Sequence, residues 1–362
     1  MKRIHVALGG RSYDVCIGHS LFRGNGVLPL KGYKEKRAFF FAESRLKRAL
    51  PWIERTFRNS GWKTKTFFVP AGERIKDFKN IYPLYENLLR AGADRNAVIV
   101  AVGGGSIGDA IGFVAGTFLR GLEWINIPTT LLAQVDSAIG GKTGVNHESG
   151  KNLIGVFHQP RLVLCDLDLL LPLSARDRVS GFGEIAKYAV IYDRKLFTLL
   201  ERNWKQLLEL DPKIALPTIS RCAILKSGVI QKDELDRKGT REVLNFGHTV
   251  GHAIETRAGY GYYRHGEAVL LGMRVEAALS VMKGHLEPRV QKRIDRFLSS
   301  VPVPPIPKSV RAKQISESVR LDKKKAEGKV RFVLLKDIGT TVLDTSVTPA
   351  EISRALRSIG IH

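Results

Sequence analysis

Residues 97–116, AVIVAVGGGSIGDAIGFVAG, pass from six uninterrupted apolar residues into three glycines and then into helical spacing. A strand that is apolar on both sides must be covered on both faces, which is the condition of a parallel sheet with helices packed above and below. Gly103, Gly104 and Gly105 at its carboxyl end let the backbone turn sharply and let a ligand approach it closely. The helix that follows offers unpaired N–H groups and a positive dipole end, which suit a pyrophosphate. The glycine spacing is not the usual dinucleotide fingerprint. On this segment alone a purely structural turn therefore stays open beside a cofactor site.

The flanking sequence repeats the pattern. KRAFFFAES reads as a buried strand, RLKRALPWIERTFRNSG as a helix and KTKTFFVP as a strand. IKDFKNIYPLYENLLRAG is an amphipathic helix, IGDAIGFVAGTFL another, and LEWINIPT the next strand. Strands alternating with helices imply a parallel sheet wound by right-handed crossovers. After about residue 175 helical spacing takes over, from ARDRVSGFGEIAKYAVIYD to EPRVQKRIDRFLSS. VPVPPIPKS then breaks the pattern, because proline is hostile to helix interiors. A strand-like KVRFVLL and a helix in TPAEISRALRSIG complete the chain. The expectation is an α/β Rossmann-like domain over residues 1–174 and a mainly α-helical domain over 175–362. A length of 362 residues suits two domains better than one core.

Composition narrows the function classes. No run of about 18 uncharged apolar residues exists, so no membrane partner is expected. MKRIHVALGGRSYDVCIG alternates polar and apolar residues like a strand and lacks the apolar core of a signal peptide. Three scattered cysteines, Cys16, Cys165 and Cys222, argue for a reducing cytoplasm rather than a disulfide framework. The net charge of +23 raises nucleic acid as a partner. The basic residues are scattered, however, with LDKKKAEGK the one dense cluster and no reading motif beside it. A surface that steers small anionic substrates is the expectation instead.

Two segments concentrate functional residue types. IPTTLLAQVDSAIGGKTGVNHESGKNLIG holds Thr129, Thr130, Asp136, Lys142, Asn146, Lys151 and Asn152 among paired glycines. Lysines in a glycine-rich loop suit anions, and aspartate and asparagine suit sugar hydroxyls. In LNFGHTVGHAIE, His248 and His252 stand four apart and so project from one helix face. His265 follows in YYRHGEAV, and GFGEIAKYAV supplies Glu184, with Lys187 one turn on. Two imidazoles and a carboxylate make a zinc set. Spacing alone leaves several arrangements open: a metal site with either histidine pairing, a histidine reserved for proton transfer, or histidines packed in a helical core.

The run from GGGSIGD through PTTLLAQVDSAIGGKTGVNHESGKNLIGVFHQP, GEIAKY and LNFGHTVGHAIE to HGEAV closely resembles the 3-dehydroquinate synthases, members of the sugar phosphate cyclase superfamily. The block order and approximate spacing match along essentially the whole chain. The resemblance implies NAD and one divalent metal, zinc in most cases with Co2+ as an alternative, and a homodimer. It makes Glu184, His248 and His265 the metal ligands, with His252 transferring a proton or orienting the substrate. It lays NAD against Glu73 and Lys76, against Gly104, Gly105, Ser106, Ile107, Gly108 and Asp109, and against Thr129 and Thr130. Asp136, Lys142, Lys151 and Asn152 would lie between cofactor and substrate. Lys187, Lys226, Arg241 and Asn245 would hold the substrate, joined by Lys324 (or Lys323), with Arg120 reaching in from a neighbouring subunit.

The implied substrate is 3-deoxy-D-arabino-heptulosonate 7-phosphate, a small sugar acid phosphate. Loss of its phosphate needs an acidic proton on carbon 6, and oxidation of the carbon 5 hydroxyl provides one. Elimination, re-reduction and an intramolecular aldol closure then give 3-dehydroquinate, with NAD regenerated. Arg241 suits a carboxylate in bidentate geometry, and the lysines suit a phosphate. Between Lys226 and Arg241 the chain carries one residue more than the family pattern. Sister cyclases acting on sedoheptulose 7-phosphate or glucose 6-phosphate, whose substrates lack the carboxylate, and polyol dehydrogenases are the rival readings.

Overall fold

A computed structural model describes residues 1–23, 29–30, 37–259, 261–325 and 330–362, with the backbone alone over 320–325. Its elements are β1 (Lys2–Val6), β2 (Tyr13–Gly18), β3 (Arg37–Glu43), α1 (Leu50–Asn59), β4 (Lys63–Val69), α2 (Phe78–Arg90), β5 (Val98–Gly103), α3 (Gly105–Thr117), β6 (Trp124–Pro128), β7 (Lys142–His147), β8 (Gly150–Phe157) and β9 (Leu162–Asp166). There follow α4 (Ala175–Tyr192), α5 (Arg194–Leu208), α6 (Pro212–Lys232), α7 (His248–Ala258), α8 (His265–Met282), α9 (Pro288–Ser299), α10 (Ala312–Lys325), β10 (Phe332–Asp337), β11 (Thr340–Asp344) and α11 (Pro349–Ser358).

The main sheet has seven strands in the order β1-β2-β9-β6-β5-β3-β4. Every pairing from β2 to β4 is parallel, and only the edge pair β1–β2 is antiparallel. The apolar strands explain themselves by their faces. In β3, Phe39 and Phe41 enter one buried cluster, while Ala38, Phe40 and Ala42 enter the other. In β5, Ile99 and Ala101 face the first cluster, and Val98, Val100 and Val102 face the second. Each Phe, Ile and Val side chain among them contributes roughly 1.5–3 kcal/mol by leaving water, and each Ala less.

The chain divides into two compact units, Met1–Leu173 with Ile219–Leu235, and Ser174–Thr218 with Asp236–His362. A single cut at 174/175 does not describe this partition. The later part of α6 and the residues after it belong to the first unit, because their polar groups are bonded there. Lys226 pairs with Asp136, and Glu234 accepts from Arg11 and Gln159.

The later part of the glycine-rich stretch, from Lys142 on, is a β-hairpin, β7 with β8, rather than a loop. Its signal is weak because most of β8 is exposed and carries no apolar alternation. Strand β9, the helix α10 and the partner strand β11 are likewise additions to the elements expected from periodicity. The second unit is otherwise helical, with a core drawn from α7, α8, α10, β10 and α11. Among the described residues, no helix is long and apolar enough to cross a membrane.

Candidate functional site

In the second unit three helices are packed so closely that backbone touches backbone. A Cβ on Gly183 of α4 would lie 2.4 Å from the carbonyl oxygen of Gly266 in α8, and one on Gly266 would lie 1.8 Å from that of Ser180. A Cβ on Gly272 of α8 would meet the Gly247 carbonyl, at the start of α7, at 1.9 Å. These contacts admit nothing larger than glycine. Glu184 and His265 each follow or precede one of these glycines directly, so the α4–α8 contact draws them together. The Gly247 contact does the same for His248.

Glu184, His248 and His265 each offer one ligand atom, all within 4.8 Å of one another. Glu184 Oε1 stands 3.4 Å from His248 Nε2 and 3.3 Å from His265 Nε2. The Glu184 side chain is 1% exposed and forms an ion pair with Lys187, itself 3% exposed. Burial opposes the Glu184 charge, but the Lys187 ammonium overrides it and holds the carboxyl well below the usual carboxylate range. Burial also lowers the pKa of His248, which favours a neutral ring. That ring's Nδ1 lies 3.2 Å from the Phe246 carbonyl, to which it donates as N–H. The Nε2 lone pair then faces a carboxylate oxygen, two acceptors side by side. Neither Glu184 oxygen has a well-directed hydrogen bond. A buried, charged, undirected carboxylate flanked by imidazole nitrogens fits a divalent cation, since these are the ligand types and the number that a catalytic zinc uses.

His252 lies on the same face of α7, exposed, with Nδ1 3.8 Å from Glu255 Oε2. Its ring centroid is 5.5 Å from that of His248 and 5.5 Å from that of His265. His252, Glu255 and His265 form a second group with ligand atoms within 4.8 Å. Glu255 is absent from the residues expected at this site, although its spacing of three from His252 in GHAIE was a readable signal. Arg241 is buried and Asn245 exposed in the turn before α7. Lys323 and Lys324 lie outside the described side chains.

In the first unit a polar network surrounds the start of α3. Lys76, 3% exposed, donates to Asp109 Oδ2 at 2.7 Å and also to Asn152 Oδ1. Burial pushes the Asp109 carboxyl upward against the pull of Lys76. Ser106 Oγ donates to Glu73 Oε2 at 2.7 Å, and Asn146 Nδ2 to Glu73 Oε1 at 3.0 Å. Burial alone would raise the Glu73 carboxyl; these two donors and Lys76 hold it below its ordinary value. Asn146, noted in the sequence only as one polar residue among several, ties the network together by also accepting the Asn152 N–H at 3.0 Å. Gly104, Gly105, Ile107 and Gly108 form the turn and first residues of α3, and Thr129 (buried) and Thr130 follow β6 beside it.

Asp136 pairs with Lys226, whose charge also acts on Asp109 of that network. The Asp136 Oδ1 and backbone carbonyl accept from Lys226 Nζ at 2.7 and 2.6 Å. Lys142 and Lys151 are exposed on the hairpin. Arg120 is exposed at φ +71°, in a left-handed turn with Leu119 at +50°.

Two family models match consecutive stretches of the chain. The family model described as 3-dehydroquinate synthase N-terminal matches residues 66–180, and the one described as 3-dehydroquinate synthase C-terminal matches 181–325. The chain is 38% identical over 358 residues to the 3-dehydroquinate synthase of Desulforamulus reducens, covering 98% of this chain and 99% of the relative. A solved 2-deoxy-scyllo-inosose synthase, complexed with carbaglucose-6-phosphate, NAD+ and Co2+, superposes with a TM-score of 0.84 at 26% identity, covering 99% of each chain. A 2-epi-5-epi-valiolone synthase from Streptomyces hygroscopicus, with NAD+ and Zn2+ bound, superposes with a TM-score of 0.85 at 27% identity, covering 98% of each.

Proposed function

This chain belongs to the 3-dehydroquinate synthase family, and on that premise we propose how its own residues divide the work. The enzyme converts 3-deoxy-D-arabino-heptulosonate 7-phosphate to 3-dehydroquinate and phosphate, a lyase reaction with no net oxidation. Bound NAD supplies reversible oxidation at carbon 5, and a bound Zn2+ or Co2+ polarises the oxygens there.

Glu184, His248 and His265 hold the metal. What supports this above all is the buried Glu184 carboxylate, charged and without a directed hydrogen bond between two imidazole nitrogens. Three protein ligands leave positions free for substrate oxygens. Lys187 keeps Glu184 ionised and, with Lys142 and Lys226, offers ammonium charge to the phosphate. Arg241 takes the carboxylate through its planar fork, with Asn245 beside it. His252 carries a proton on its exposed ring or orients a hydroxyl.

In the first unit, Glu73, Lys76, Ser106 and Asp109 hold the nucleotide around the start of α3, whose free N–H groups suit the pyrophosphate. Thr129, Thr130, Asn152 and Lys151 complete that surface, and Asp136 fixes Lys226. Lys324 serves the substrate. The working form is a homodimer in which Arg120 reaches the neighbouring subunit's substrate; its exposed, left-handed turn supports that presentation. The enzyme acts in the cytoplasm, an assignment supported by three cysteines that all remain buried thiols.

The test is phosphate release from the heptulosonate phosphate, with NAD and metal added or withheld after chelation. Release that requires both, with no NADH accumulating, is the expected result. Turnover of sedoheptulose 7-phosphate or glucose 6-phosphate instead would move the chain to a sister cyclase activity. Steady NADH formation from a simple polyol would sink the reading.

A further inference from the structure

Alpha-helix α7 carries His248, His252 and Glu255 on one face, at intervals of four and three residues. His265, at the first turn of α8, stands against both of the α7 histidines. Its ring centroid is 5.1 Å from that of His248 and 5.5 Å from that of His252. Two three-residue groups result, Glu184 with His248 and His265, and His252 with Glu255 and His265, each with its ligand atoms within 4.8 Å of one another. They share His265.

The two groups differ in depth. Side-chain exposure runs from 1% at Glu184, through 15% at His248, 16% at Glu255 and 33% at His265, to 58% at His252. A hydrated dication meeting this surface encounters His252 first, then the shared His265, then Glu255 and His248 at similar depth, and Glu184 last. Stripping all of its water in one event to reach a fully buried carboxylate is costly. Replacing that water in stages by imidazole and carboxylate ligands avoids a single large barrier.

We propose that His252, Glu255 and His265 form an outer seat for the divalent cation, from which it passes to the inner set and through which it leaves. His265 is the ligand common to both, so the ion moves inward by exchanging His252 and Glu255 for His248 and Glu184 without ever losing His265. The proposal rests on the reading of Glu184, His248 and His265 as the metal-holding set.

The experiment follows Co2+ uptake by the metal-stripped full chain through its visible absorption in a stopped-flow instrument. The wild type shows an early phase that scales with Co2+ concentration, then a slower one that does not. Glu255→Gln loses the early phase and takes up Co2+ roughly tenfold more slowly, the lower end of what losing a group around a metal costs. Its final spectrum is that of the wild type. Release to a chelator slows by the same factor, so affinity at the inner set is unchanged, which a general structural defect would not produce. Uptake by Glu255→Gln at the wild-type rate, or a changed final spectrum, overturns the outer seat. His248→Gln separates the two readings: it keeps the early phase and lacks the later one. If His248→Gln instead reaches the full wild-type spectrum, the assignment of the inner set is what fails.

Discussion

The side-chain carboxyl group of Glu276, in the middle of α8, accepts the backbone N–H of Gly247 at 2.6 Å, 29 residues away in sequence. It is fully buried, and its second contact, the Val250 N–H, is long at 3.5 Å. Glu276 therefore caps the start of α7 from a neighbouring helix and holds the turn from which His248 and His252 project. Burial pushes its pKa from 4.5 up to about 8, more than the two N–H groups pull it down.

A pH dependence of stability follows from that pKa. The unfolded chain ionises Glu276 near 4.5, whereas the folded chain keeps it protonated to about 8. Its contribution to stability is fully present below the lower value and is lost as pH rises through the upper one, on the order of a few kcal/mol in all. Urea unfolding at a series of pH values across that window should show wild-type stability falling, and Glu276→Gln falling less. Parallel curves for the two proteins would mean that Glu276 is already ionised in the fold.

Lys187 is buried against Glu184, so removing the carboxylate strands a cation. Glu184→Gln should destabilise the metal-stripped protein by about 3–5 kcal/mol. It should also weaken Zn2+ binding by more than about 100-fold, above the cost of losing an outer partner. Glu184→Gln combined with Lys187→Met should restore much of the stability and none of the metal binding. Urea melts and metal titrations read the two effects separately. Stability that stays low in the double variant would show that Glu184 supports the fold by some route other than Lys187.

Lys76 bridges Asp109 and Asn152. Replacing it with Met removes a charge-assisted hydrogen bond, worth about 1.5–3 kcal/mol. NAD affinity, measured by calorimetry, should fall by about tenfold or more, while Zn2+ affinity stays unchanged. Unaltered NAD binding would detach this network from the nucleotide.

Arg120 tests the dimer. Arg120→Ala and His252→Ala should each be nearly inactive alone. Co-expressed, they should recover about a quarter of wild-type activity, the share of intact sites that random pairing in a two-fold dimer leaves. No recovery would mean that Arg120 serves its own subunit or none.

Much of the fold was legible because its signals are local. Uninterrupted apolar strands such as β5, and the glycines that follow it, state their burial and their turn in a few consecutive residues. The helical half was readable for the same reason, and the four-residue interval between His248 and His252 already put both on one face. The β7–β8 hairpin was not readable, since β8 is largely exposed and its pairing depends on a partner strand rather than on its own pattern. Nor was the place of Lys226, because a helix's periodicity does not say which unit its later turns join.

By itself, then, the sequence determined which residues could be ligands and which faces they occupy, since helix and strand periods are properties of neighbouring residues. Only the tertiary structure decided that Glu184 meets His248 and His265, that Glu255 completes a second group, and that Glu276 caps α7. The Glu184 and Glu276 pairings cross tens of residues and depend on helices whose close approach the glycines Gly183, Gly247, Gly266 and Gly272 permit. A contact of that kind is set by packing between elements, and no local period encodes it.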